Sequence, residues 1–236
     1  MTKRLQKLGV VLAVIGLGFL AGAGVAFAKV QDGYDSLRAF SAAQNVELTY
    51  NDDGQLADRE GSSEEAVAIM SLLTDDWKYP VVESDLNPDD PVVNTATEYM
   101  YQMATINYHT LTGTQTVVLE EDVTADDGKL YKAGTYEFDV DGRYWSGFDR
   151  TNPIEAAARE QAWTGTAHGL IAELGVGTVT HSALQMGLGL TGVLAGFGLT
   201  IILAGLGLIW VGRAPASSTA PLASPVTGRM EVPVSV

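Results

Sequence analysis

The 236-residue chain has no cysteine, which excludes disulfides, thiolate metal sites and cysteine nucleophiles together. Histidine is almost as scarce, with only His109, His168 and His181. Their local spacing gives no metal-site signature, and His168 has no histidine or carboxylate four residues away. No Gly-x-Ser-x-Gly, phosphate loop or dinucleotide fingerprint occurs. The run Asp85-x-Asn87-x-Asp89 starts like a calcium loop, but Asp90 stands where the loop needs glycine and Ala96 where it needs glutamate. An EF-hand is therefore excluded. No metal, cofactor or catalytic residue is expected. Charge of either sign is also missing from two long stretches, residues 8–28 and 182–211.

Those two stretches dominate what is present. At about 1.5 Å per residue, a 21-residue helix over 8–28 spans about 31 Å, close to the hydrocarbon thickness of a bilayer. A cleavable signal peptide ending at Ala26-Phe27-Ala28 competes with this reading, but its apolar core would have only about 7–15 residues, so the uncleaved span is favoured. Lys3, Arg4 and Lys7 precede the first stretch and Arg213 follows the second. Basic residues close to a span tend to stay in the cytoplasm. The expected fold class is a membrane protein with two transmembrane α-helices flanking a small α+β extracytoplasmic domain. Its parts are a cytoplasmic N-terminus (1–7), span one (8–28), the outer domain (29–181), span two (182–212) and a disordered cytoplasmic tail (213–236).

Between the spans the charge is one-sided. Residues 29–181 hold 28 of the 29 acidic residues against 9 Lys or Arg, a net of −19. Such a surface repels nucleic acid and anionic lipid heads. The expected partners are the bilayer and either a second copy or another membrane protein. Gly18-x-x-x-Gly22 and Gly192-x-x-x-Gly196 set small residues on one helix face, where the two spans would pack on each other or on a second copy.

The outer domain reads as α+β. Residues 35–44 continue the first span as a helix with Gly33 as a candidate kink. Residues 46–50 alternate like a short strand running into the turn Asn51-Asp52-Asp53-Gly54. Capping boxes at Ser62-x-x-Glu65 and Thr95-x-x-Glu98 open two helices, running to about 74 and 111. Residues 115–123 and 130–144 are β-rich and joined by Ala125-Asp126-Asp127-Gly128, with a bend expected at Gly134. Asn152 and Pro153 then start a helix leading to the second span, interrupted at Gly175 and Gly177. Tyr144, Trp145, Phe148 and Trp163 form an aromatic group read mainly as a core anchor.

Gln102-x-x-x-Ile106-Asn107-x-His109-x-Leu111, then Asp149-Arg150-x-x-Pro153, then a helix entering a glycine-rich final span, resembles an uncharacterised family of actinobacterial two-span membrane proteins. Residues 114–142 stand as an addition between the two motifs. Some members carry the label aromatic ring-opening dioxygenase, which would need two histidines and a carboxylate around iron. Only His109 belongs to the shared motif, so that label is set aside. The resemblance implies a membrane-anchored outer module and directs attention to Asn107, His109, Asp149 and Arg150 as structural or ligand contacts. The expected function is that of a non-enzymatic accessory or scaffold protein of the cell envelope. The alternative is a binding or sensing module for a cation or an envelope component.

Overall fold

A computed structural model describes residues 2–213. Two helices long and apolar enough to cross a membrane flank a small region of helices and strands. Helix α1 (Thr2–Gln44) has 43 residues and α5 (Gly165–Arg213) has 49, about 65 and 74 Å at the helical rise. Each is roughly twice the length that hydrocarbon requires. Gly33 does not break α1, nor do Gly175 and Gly177 break α5, contrary to the sequence reading. They accept close neighbours instead, Gly33 facing Leu184, Gly175 facing Met103 and Gly177 facing the Tyr99 ring. Arg213 ends α5, and the rest of the expected tail lies outside the described residues.

The chain divides into two compact units, one made of residues up to Gly22 with those from Leu194 onward, the other of Ala23–Val193. In the first unit α1 and α5 run antiparallel at backbone contact. A Cβ placed on Gly16 would stand 2.6 Å from the Gly198 carbonyl oxygen, and one on Gly205 would stand 2.5 Å from that of Gly9. The Gln6 side-chain amide donates to the Gly212 carbonyl at 3.0 Å. These pairs recur every seven residues, the period of left-handed supercoiled packing. Among the described residues Gly18, Gly22, Gly192 and Gly196 are not the glycines at the helix contact: a Cβ on any of them would meet nothing within 4 Å. The four-residue spacing places these glycines on another face from the seven-residue set.

The second unit holds the domain core. Helices α2 (Ser63–Ser71), α3 (Ala96–Thr112) and α4 (Pro153–Ala162) join residues 23–44 of α1 and 165–193 of α5. Leu37 of α1, Ile69 of α2, Leu73 just beyond it, Tyr99, Tyr101 and Ala104 of α3, and Leu174 of α5 form one apolar cluster. A second cluster gathers Leu111, Val140, Phe148, Ala162 and Trp163, so Phe148 and Trp163 are buried core anchors whereas Tyr144 and Trp145 remain exposed. Residues 46–50 do not form a regular strand. Val46 and Leu48 bond to Val93 and Pro91, and Tyr50 bridges Leu56. Strand β1 (Thr114–Leu119) pairs antiparallel with β4 (Gly134–Asp139), and β2 (Val123–Thr124) with β3 (Leu130–Tyr131) around the turn at Gly128.

Of the two expected capping boxes only that at Thr95 is complete, while Ser62 acts as a simple cap. The Ser62 hydroxyl accepts from the Glu65 N–H at 3.2 Å. At α3 the box is complete: the Thr95 hydroxyl accepts from the Glu98 N–H, while Glu98 Oε2 accepts from the N–H groups of Asn94 and Thr95. Glu98 is buried, and loss of water raises its pKa above the usual carboxylate value against the pull of those hydrogen bonds. A group raised in the fold contributes stability fully below its unfolded pKa, and that contribution is lost as pH rises through the folded pKa. Glu98→Gln keeps one oxygen for both N–H groups and removes the buried charge. It is expected to leave the pH 7 melting temperature unchanged or higher and to flatten its rise toward pH 5. Glu98→Ala, which deletes the acceptor, should cost about 1 kcal/mol. Thermal melts of the three proteins at pH 5 and 7 check both.

Candidate functional site

The polar site of the second unit is built by a turn and a helix distant in sequence. Asp58 precedes the 3-10 turn Arg59–Gly61, where Glu60 and Gly61 have φ of 58° and 80°. Such left-handed backbone is easy for glycine and costly for glutamate. The turn is closed by Asp58 N–H donating to the Ser62 carbonyl at 2.9 Å and by Gly61 N–H donating to that of Asp58 at 3.0 Å. Asp58 is thereby fixed with its carboxylate turned inward, 7% exposed, toward His109 of α3.

His109 Nε2 lies 2.7 Å from Asp58 Oδ2. That separation suits a charge-assisted bond, yet neither atom has an aligned hydrogen-bond partner. At so short a distance this means that the oxygen sits off the N–H axis. The contact is therefore an ion pair or dipolar contact with hydrogen-bonding capacity to spare. Close by are two tyrosine hydroxyls, Tyr50 and Tyr101, that are also buried without a partner. Burial, reinforced by the charge of Asp58, pushes the Tyr101 phenol well up, so it stays protonated.

Two cavities adjoin His109. One of about 420 Å³ lies among Gln102, Thr105, Gln115 and Gln161, with Asp58 and Arg59 at its wall. The other, about 470 Å³, lies between His109 and the turn from Arg59 to Glu65. A histidine oriented by an aspartate is the base half of a nucleophilic triad. The serine and threonine hydroxyls that line the two cavities are otherwise engaged: Thr105 donates to the Tyr101 carbonyl, Thr110 to that of Ile106, and Ser62 caps α2. The arrangement can hold a hydroxyl-rich molecule through amide, carboxylate, guanidinium and imidazole groups.

Of the candidate contact residues singled out in the sequence, only His109 belongs to this cleft. Asn107 is buried and spends its side-chain amide on the Met103 carbonyl at 2.8 Å. Asp149 closes a surface turn, accepting from the Thr151 hydroxyl at 2.7 Å and its N–H at 2.9 Å. Those bonds, the hydroxyl first, hold the Asp149 carboxyl below its usual range. Arg150 is exposed on the same turn. Gln102, which opens the motif of residues 102–111, also lines the cleft, whereas Asp58, Gln115 and Gln161 carried no local signal, because a turn, β1 and α4 bring them separately to α3. Among the described residues no group of three or more histidines and carboxylates is placed to hold a metal. The acidic turns are closed on themselves, with Asn87 Oδ1 taking the Asp89 N–H and Asp127 Oδ1 taking that of Lys129.

Comparison of the chain with protein-family models, with curated proteins and with solved structures gives no match.

Proposed function

We propose that the chain is a two-span membrane protein with both termini cytoplasmic and residues 29–181 outside, acting as a non-enzymatic accessory or scaffold subunit of the cell envelope whose outer domain binds an envelope component. One observation carries it. The outer parts of the two apolar helices are components of the domain core, with Leu37 of α1 and Leu174 of α5 packed in one cluster with Tyr99. A domain whose core includes residues of both apolar helices is suited to a binding role tied to the membrane. The flanking Lys3, Arg4, Lys7 and Arg213 support the orientation. The amide and charged groups of the cleft beside Asp58 and His109 suit an envelope component, and among the described residues no group of three or more histidines and carboxylates is placed to hold a cation. The family resemblance carried by residues 102–111 and 149–153 is consistent with an anchored outer module.

A second observation favours association between copies. Gly18 and Gly22 line an apolar groove of about 250 Å³ with Ile15, Phe19 and Leu194, on a face that the described residues leave open. Small residues on such a face permit close approach of another helix.

Chemical crosslinking in intact cells, followed by mass spectrometry, tests the role. Recovery of a discrete homo-oligomer or of a recurring membrane-protein partner is expected. Protease added to whole cells should cut the domain. A domain cut only in inverted vesicles would overturn the topology, and capture of monomer alone would overturn the scaffold role.

A further inference from the structure

A third cavity in the second unit is of the opposite character. It holds about 260 Å³ among α1, α3 and α5, lined by Phe40, Val46, Val93, Tyr99, Leu170 and Leu174, with few polar atoms. An apolar protein cavity of about 150 Å³ stays dry and accepts benzene, so this one has room for a longer apolar group. Phe40 and Leu170 are 45% and 44% exposed at its edge, which leaves it open to entry. Gln102 and Ile106 line both this cavity and the 420 Å³ polar cleft beside Asp58 and His109. Two side chains of α3 thus form the common wall between an apolar and a polar compartment.

That juxtaposition is the recognition pattern for an amphiphile. We infer that the domain binds a single-chain amphiphile with an uncharged, hydroxyl-rich head, its alkyl chain in the cavity at Phe40 and Leu170 and its head against Gln115, Gln161 and the Asp58–His109 pair. The inference rests on the binding role proposed above and names the ligand class. Three observations set the head chemistry. The cleft offers glutamine amides, which donate to and accept from hydroxyls. Its lining carries one formal positive charge, Arg59, and one formal negative charge, Asp58, so it is no concentrated anion site. The net charge of −19 on residues 29–181 also repels anionic heads. Glu173 at the edge of the apolar cavity adds to that repulsion. The chain compartment lies on both membrane-directed helices: Phe40 is twelve residues beyond the first apolar stretch and Leu170 twelve before the second. At about 1.5 Å per residue it stands about 18 Å from the hydrocarbon edge, within reach of a lipid drawn partly out of the bilayer.

The test uses full-length protein in phosphatidylcholine nanodiscs and a dodecyl glucoside with a diazirine in its chain. Saturable photolabelling is expected on peptides containing Phe40, Ile106 and Leu170, competed by unlabelled dodecyl glucoside but not by glucose or dodecyl sulfate. Gln115→Ala with Gln161→Ala should weaken competition roughly tenfold. Ile106→Trp, which fills the shared wall, should abolish the saturable labelling. Leu170→Glu, at an exposed position, repeats that test should the tryptophan variant misfold. Labelling confined to the apolar stretches, or unchanged in both cavity variants, would overturn the site. Equal competition by dodecyl sulfate would overturn the neutral head. Protease accessibility of the domain in cells reads the membrane role separately, so its success beside unsaturable labelling would remove the ligand alone.

Discussion

Gly16→Leu and Gly198→Leu are each expected to destabilise the α1–α5 pair by about 3 kcal/mol, the upper end of the cost of overpacking. The reason is what the new side chain meets. A Cβ on Gly16 would fall 2.6 Å from the Gly198 carbonyl oxygen and 2.9 Å from the Ile202 nitrogen. One on Gly198 would fall 2.9 Å from the Gly16 carbonyl oxygen and 2.9 Å from Leu20 Cγ. Backbone atoms cannot swing away as a flexible side chain can, so the helices must separate and lose the contacts above and below. In the proposed two-span arrangement lipid offers no hydrophobic penalty for that separation, since close packing supplies most of the attraction between membrane helices. Gly18→Leu and Gly22→Leu supply the control, because their Cβ positions are open. They should leave the monomer's melting temperature within the range of neutral surface changes, about 0.5 kcal/mol. The same two substitutions should reduce crosslinking between copies if the groove beside Phe19 is an interface. Equal melting temperatures for Gly16→Leu and Gly18→Leu would refute the packing assignment.

The contrast between these glycines also shows what the sequence could reveal. The small-x-x-x-small spacing is a short pattern and was easily seen, yet the chain packs by the longer period. On α1, Gly9, Gly16, Ala23, Val30 and Leu37 are all buried, seven apart. On α5, Gly177, Thr191, Gly198 and Gly205 are buried in the same phase. A seven-residue reading of small side chains would have found both faces. The caps at Ser62 and Thr95 were legible because donor and acceptor lie three residues apart and need no tertiary information. The partner of residues 46–48 was not, since Pro91 and Val93 reach it only after α2 and the acidic loop have folded. Asp58 was invisible for a similar reason. Its pairing with His109 is created by the left-handed turn at Glu60 and Gly61 and by the seating of α3, neither of which is a local composition signal. Gly175 and Gly177 misled because glycine weakens an isolated helix. Here the space that each leaves is occupied by a neighbouring helix, Met103 against one and Tyr99 against the other.

Gly177→Ala carries that last point to measurement. The added methyl would stand 2.6–2.7 Å from three atoms of the Tyr99 ring, so the ring has to move. It is tied at its far end, where its hydroxyl and that of Ser41 lie 2.7 Å apart in a buried hydrogen bond. Burial also raises the Tyr99 pKa, which keeps the phenol neutral and able to donate at physiological pH. The ring can yield only by giving up that bond or by tilting into the apolar cavity that it lines. The expected loss is about 1–3 kcal/mol, larger than the gain in helix propensity from alanine, about 1 kcal/mol. Tyr99→Phe, which deletes only the hydroxyl, should cost about 1 kcal/mol. In Gly177→Ala with Tyr99→Leu the methyl meets a smaller, adaptable side chain, and the combined loss should fall below the sum of the single losses by at least about 0.5 kcal/mol. Melting of the four proteins in one detergent closes the cycle, and strict additivity would show that Gly177 is not reserved for the Tyr99 ring. Photolabelling of Gly177→Ala by the diazirine glucoside should also fall, because the displaced ring occupies the compartment proposed for the alkyl chain. Helix contact and ligand compartment thus share one residue, so a shift of α5 against α3 at Gly177 would change the volume open to the ligand.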